Sequence, residues 1–201
     1  MSALPQPRLT PEQYLEMDRA SQFRNEFYNG RVYAMSGGSY RHAMLISNIG
    51  YGLRSRMGSQ ACQVLTSDLR VRVDPAGLYT YPDVLVVSGE PVFADTHVDT
   101  LLNPAFLVEV LSRSTEAYDR GFKSAQYRSL RSLQEFALVS QVEPRVEVFR
   151  RQPDGHWLFM EFVGLSAVCR FESLDISVAM ADVYDKIAFD ADPPLRADAQ
   201  P

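Results

Sequence analysis

Residues 106–111, FLVEVL, set a single carboxylate inside an otherwise continuous apolar run. Such a run reads as a buried strand, and burying a charge without a partner is costly. A purely structural strand would gain from valine at position 109. The chain must therefore fold so that something meets Glu109. A second strand, YPDVLVV (residues 81–87), opens with Asp83 immediately after Pro82. If the two strands pair in one sheet, Asp83 and Glu109 converge at one end of it.

The surrounding pattern predicts a mixed α/β protein. Thr10, Pro11 and Gln13 form the start signals of a helix to about Arg19, with Leu9 placed to staple against Tyr14. FRNEFYNGRVYAM then reads as two short strands joined by Asn29-Gly30, a strong hairpin signal. Ser39 can cap a second helix whose stripe is Leu45, Ile49 and Leu53 and whose stop is Gly58. Alternation from Cys62 to Val73 predicts one half-buried strand, followed by a turn at Asp74-Pro75-Ala76-Gly77. After a loop from Ser88 to about Pro104 comes FLVEVL. STEAYDRGFKSAQYRSL then reads as a helix burying Tyr118, Phe122, Ala125 and Leu130. EFALVS, RVEVFRR and WLFMEFV (135–140, 145–151, 157–163) predict three more strands, and a short helix is expected from about Ala181 to Ile187. Residues 1–189 are expected to form one domain and 190–201 a disordered tail.

With 46% hydrophobic and 22% charged residues, the 201-residue chain has an ordinary globular composition. No stretch reaches the roughly 18 apolar residues of a membrane span, and MSALPQPRLT lacks the features of a secretory signal. A cytoplasmic protein is expected. Cys62 and Cys169 have no metal-ligand or redox spacing and are expected to be small buried apolar groups. A net charge of −5 excludes a histone-like basic coat but leaves room for a local basic cleft. Of 20 basic residues only Lys123 and Lys186 are lysine. In a chain this biased towards arginine, a retained lysine asks what arginine could not do there.

Two hard oxygen ligands at a strand end suit Mg²⁺ or Mn²⁺, which keep several waters beside one or two carboxylates. Such an ion would polarise a phosphate and activate a water. Lys123, on the helix after Glu109, can lean over the strand ends and orient that water or neutralise charge on the phosphate.

The run YPDVLVV … NPAFLVEVLSRSTEAYDRGFKSAQYRSLRSLQEFALVSQVEPRVEVFRR, with TPEQYLEMD and FRNEFYNGRVYAMSGGSYRHA before it, resembles the Uma-two family. That family has the restriction-endonuclease-like fold of the PD-(D/E)XK superfamily, and the similarity covers about residues 9 to 188. The resemblance implies Asp83 and Glu109 as metal ligands, with the main-chain carbonyl of Val110 as a third. It departs at the lysine: the third position of the E-x-K pattern is Leu111. Families of this kind move the lysine to the following helix, which points to Lys123. Glu26 resembles a further family carboxylate near the metal, with a solvated hairpin charge as the alternative. His42 resembles a phosphate or proton-transfer contact, with polar packing at a helix start as its alternative. Asp68 reads as a ladder-edge charge, and His97 and His156 are assigned no role.

The function implied is a Mg²⁺-dependent endonuclease cutting nucleic acid by in-line attack of an activated water. A non-catalytic binding or scaffold protein on the same fold, and a nuclease active only with a partner, stand beside it. DNA and RNA, duplex and single strand, remain open as substrates. The apolar C-terminal third predicts a homodimer, with Phe149, Trp157 and Phe159 near its interface.

Overall fold

In the computed structural model, residues 8–189 are described, apart from 36, 59, 60, 75 and 76. The centre of the turn expected at Asp74–Gly77 and the tail expected from residue 190 lie outside these residues.

Local signals are met at the N-terminal end. Helix α1 (Pro11–Ala20) opens on a capping box in which the Thr10 side chain accepts from Gln13 N and Gln13 answers to Thr10 N. Leu9 packs in the small cluster around Tyr14. Strands β1 (Asn25–Tyr28) and β2 (Arg31–Ala34) form a hairpin across Asn29 (φ 48°) and Gly30 (φ 80°), both left-handed as a two-residue primed turn requires. Helix α2 (Tyr40–Arg56) is capped by Ser39 Oγ, which accepts from His42 N at 3.1 Å, and it buries Leu45, Ile49 and Leu53.

The stretch from Cys62 to Val73 corrects the expectation of one strand. It is two, β3 (Cys62–Thr66) and β4 (Arg70–Val73), in different sheets. The chain turns at Ser67 (φ 47°), whose N–H is held at 2.9 Å by the Asp83 carbonyl. Across Ser67-Asp68 the apolar positions step from even (Cys62, Val64) to odd (Leu69, Val71, Val73), and the two sets pack in different clusters, so the break was present in the pattern as a change of phase. There follow β5 (Leu78–Thr80), β6 (Val84–Ser88), β7 (Thr100–Leu101) and β8 (Phe106–Leu111). The next helix is interrupted: α3 (Glu116–Tyr118), a π-helical turn (Asp119–Lys123), then α4 (Ser124–Tyr127). Strands β9 (Glu135–Ser140), β10 (Arg145–Arg151) and β11 (Trp157–Val163) agree with expectation. A hairpin of β12 (Val168–Phe171) and β13 (Ile176–Ala179) was not anticipated; Asp175 takes a left-handed conformation (φ 54°) just before β13. Helix α5 (Met180–Val183) is shorter than the predicted Ala181–Ile187, and Lys186 has φ 58°.

Two mixed sheets result. One runs β2-β1-β5-β4-β7, the other β11-β10-β9-β8-β6-β3, with β8/β9 and β4/β7 parallel and the remaining pairs antiparallel. This is the mixed α/β class expected. On one face of the six-stranded sheet, Val84, Val86, Phe106, Val108 and Val110 meet α2, the β12–β13 hairpin and α5. On the other, Leu85, Val87, Leu107 and Leu111 join Val71, Leu78 and Tyr127. No helix among the described residues is long and apolar enough to cross a membrane.

Two further expectations are corrected. Ala125 is exposed, whereas Ser124 and Tyr127 are buried. The wider π turn takes up an extra residue and rotates everything after it, so the 3.6-residue stripe no longer applies. Cys62 is only half-buried, while Cys169 is fully in the core. Phe149 and Trp157 pack within their own chain: Phe149 stacks on Phe136 at 4.7 Å, and Trp157 lies 5.5 Å from Phe136 beneath the Arg151 guanidinium. Phe159 stays exposed on β11.

Candidate functional site

Strand alternation aims Glu109 at the face it shares with Leu107 and Leu111. Antiparallel pairing of β6 with β8 sets Val84 opposite Val108, and one step further outward brings Asp83 beside Glu109. Asp83 Oδ2 accepts from Val110 N at 2.7 Å, which ties the end of one strand to the other. His42 Nε2, from the first turn of α2, lies 3.3 Å from the same oxygen.

The π-helical turn supplies the other half. It buries both Asp119 and Lys123, four residues apart, against the strand end. Lys123 Nζ lies 3.0 Å from Glu109 Oε1, 3.0 Å from Glu26 Oε1 and 3.7 Å from Asp119 Oδ1. Tyr127 donates its hydroxyl to Glu109 Oε1, and Thr80 donates to Glu26 Oε1. Glu26 arrives on β1, which pairs with β5 through Phe27 and Tyr79. It is buried, so it is not a solvated hairpin charge.

Glu26, His42, Asp83, Glu109, Val110 and Lys123 thus line one pocket of about 520 Å³. Leu111, in the position where the motif carries lysine, is buried in the apolar core. Asp68 lies elsewhere, exposed in a turn and 2.7 Å from Arg24 Nη2, so it is not a ladder-edge charge. His97 is exposed, and exposed His156 pairs with Asp154. Asp119 was missed by sequence reasoning, although its i,i+4 spacing from Lys123 was a usable signal. Tyr127 and Thr80 left no signal, because only the sheet-to-helix packing brings their hydroxyls to the carboxylates.

Residues 11–181 match the Uma2 family, described as "Putative restriction endonuclease". The chain belongs to this family. It is 32% identical over 185 residues to "Uncharacterized protein slr1290" of Synechocystis sp. (strain ATCC 27184 / PCC 6803 / Kazusa), covering 92% of this chain and 96% of that one. It is likewise 32% identical over 168 residues to "Uncharacterized protein sll1609" of the same organism, covering 84% and 95%. Its fold is similar to a crystal structure titled "a putative nuclease belonging to DUF820" from Anabaena variabilis ATCC 29413. That match has TM-score 0.72 and 16% identity, and covers 88% of this chain and 97% of the other.

In this Uma2 protein the pocket is short of positive charge. Four carboxylates, Glu26, Asp83, Glu109 and Asp119, face one ammonium and one imidazole. Burial pushes the Glu109 carboxyl well above the usual carboxylate range. Lys123 opposes that shift, and repulsion from Asp83 and Asp119 adds to it. Asp119 is raised for the same first reason, burial, with Lys123 again opposing. Burial works to lower Lys123, but Glu109, Tyr127, Glu26 and Asp119 together hold it well above an ordinary lysine. It is a fixed cation. Burial also depresses His42, which the Asp83 carboxylate and the Val110 main chain more than offset, so its net shift is upward.

Proposed function

We propose that this Uma2 protein is a metal-dependent endonuclease that hydrolyses phosphodiester bonds in nucleic acid. In this reading Asp83, Glu109 and the Val110 carbonyl hold Mg²⁺ or Mn²⁺, and Lys123 is the catalytic lysine. The observation that carries it is the meeting of Lys123 with Glu109 at 3.0 Å, although Leu111 occupies the lysine position of the motif. A lysine that has changed elements and still reaches the same carboxylate implies a role for the ammonium beside it. The family description supports the nuclease class.

The donor set fits a divalent cation. Among the described residues, the side-chain contacts of Glu109 fall on Oε1 and those of Asp83 on Oδ2, so each carboxylate has a second oxygen to offer. The surplus of carboxylates over cations is the electrostatic counterpart of that fit. Among the described residues no three His, Cys, Asp or Glu side chains form a ready-made cage. This suits Mg²⁺, which fills most of its octahedron with water and binds such sites weakly. When bound, the ion would supply Lewis-acid polarisation of the phosphate and a more acidic water.

The protein's own groups then have distinct tasks. Lys123, held charged, neutralises negative charge that develops on the phosphate and fixes the orientation of Glu109. Tyr127 anchors that same carboxylate from below. His42 stands 3.3 Å from Asp83 and holds it against the end of β8. Glu26 and Asp119 keep the ammonium centred over the strand ends.

The test is Lys123→Arg. Arginine keeps the charge but replaces a compact ammonium with a larger planar group. The variant should fold yet lose about 10²–10⁴-fold in cleavage of plasmid and single-stranded substrates in Mg²⁺ or Mn²⁺, while Lys186→Arg cuts normally. Cleavage at the wild-type rate by Lys123→Arg would sink the assignment. Metal binding without cleavage by any form would favour a scaffold, or a nuclease that needs a partner.

A further inference from the structure

Resting on that reading of the pocket, we infer that the nucleic acid enters it as an unpaired strand, with a base stacked on Tyr33. Three observations converge on this. The first is depth. Glu109, Lys123 and Glu26 are only 4%, 4% and 6% exposed. They sit on the floor of a pocket whose 520 Å³ falls in the range of sites that engulf small molecules, roughly 300–1,000 Å³. A duplex carries its phosphates on a stiff convex surface and has to be met by an open one. A single strand can bend a phosphate down to a recessed floor.

The second is charge. Arginine makes up 18 of the 20 basic residues, yet none of the described residues lining the pocket is an arginine. Of the arginines nearby, Arg24 pairs with Asp68, Arg120 with Glu116 and Glu147, and Arg41 donates to the Gln141 carbonyl, while Arg113, between the lining residues Ser112 and Ser114, is exposed. Proteins that grip duplex DNA through its backbone neutralise on the order of 6–10 phosphates. Among the described residues lining the pocket, Lys123 and His42 are the cationic side chains, fewer than that, so the bases have to contribute to affinity.

The third is an unexplained aromatic. Tyr33 lies directly opposite Glu26 in the β1–β2 ladder, on the same face, and Glu26 touches Lys123. Tyr33 lines the pocket from the edge strand β2, is 46% exposed, and has no ring contact or hydrogen bond among the described residues. Its neighbours are by contrast held: Tyr118 stacks on Phe122 at 5.3 Å, and the Tyr81 hydroxyl donates to Asp18 and accepts from Arg70. Among the described residues lining it, the pocket therefore has two fixed aromatics, Tyr81 and Tyr118, and one free aromatic face. Base stacking on a free ring is sequence-tolerant and serves strands whose bases are not already paired.

Binding and cleavage need separate readouts. Fluorescence anisotropy would be measured in Ca²⁺ with labelled DNA and RNA strands of about 12 nucleotides, and with duplexes of the same sequence. Wild type, Tyr33→Phe and Tyr33→Ala would be compared, each with its melting temperature. The expected result is binding of an unpaired DNA or RNA strand at least about 10-fold tighter than the duplex. Tyr33→Phe should retain it, and Tyr33→Ala should weaken it by about 5- to 150-fold without a change in melting temperature. Equal or tighter duplex binding, an unaffected Tyr33→Ala, or no binding of any strand overturns the inference. If the strand binds with this pattern and is not cut in Mg²⁺ or Mn²⁺, the inference stands and the endonuclease reading falls. Duplex binding with metal-dependent cleavage does the reverse.

Discussion

Replacing Lys123 by methionine tests whether its ammonium holds the carboxylate cluster together. Methionine preserves most of the volume and the flexible stem, so the change is mainly one of charge. In the wild type the ammonium lies 3.0 Å from both Glu109 and Glu26 and 3.7 Å from Asp119, with the lysine only 4% exposed. Removing one partner of a buried ion pair costs about 3–5 kcal/mol, because the remaining charges are left uncompensated. For a chain of this size that corresponds to a fall in melting temperature of roughly 6–20 °C. The pH dependence has a definite sign. Carboxyls whose folded pKa is raised contribute stability that is present at low pH and lost as pH rises through the folded value. Glu109 and Asp119 are already raised, and loss of the ammonium raises them further. The deficit of Lys123→Met should therefore narrow as pH falls from about 8 to about 5. Millimolar Mg²⁺ or Mn²⁺ should restore part of it, since a divalent ion replaces the missing charge. Thermal and urea melts at both pH values, with and without metal, read all three effects. A deficit under about 1 kcal/mol, or one independent of pH, would refute the account of Lys123 as the charge that organises the site.

Other outcomes follow from particular contacts. Calorimetry with Mn²⁺ should show weak, sub-millimolar to millimolar binding to the wild type that Asp83→Asn abolishes; identical titrations would remove the metal site. A Cβ at Gly38 would lie 2.5 Å from His42 Nδ1, so Gly38→Ala should displace the imidazole from Asp83 and cut activity about 10-fold. Unchanged His42 resonances in an NMR spectrum would contradict that. Edge strand β11 exposes Leu158, Phe159 and Val163, and we expect it to join two copies into a homodimer that Phe159→Glu dissociates. Light scattering showing a wild-type monomer at micromolar concentration would rule this out.

Much of the fold was written locally. The Thr10 capping box, the Asn29-Gly30 turn and the Ser39 cap are interactions within a few residues, and each appears where the chain spells it. The near-continuous apolar runs of FLVEVL and YPDVLVV likewise marked two buried strands, because burial on both faces leaves few other choices of residue. The carboxylate stranded in the first of them was legible as an anomaly for the same reason. What the chain could not express locally was how distant elements meet. The β6–β8 register decides that Asp83 stands beside Glu109, and a register is a property of two strands, not one. The π turn at Asp119–Lys123 broke the helical stripe and turned Ala125 outward. That same turn sits where Lys123 and Asp119 are buried against the strand ends. Glu26 could be a solvated hairpin charge or a buried partner, and only the packing of the hairpin's sheet against that helix decided it. The sequence by itself determined which residues were out of place in a core. Tertiary structure alone decided what each met there, because the free energy that tolerates a buried charge resides in partners far away along the chain.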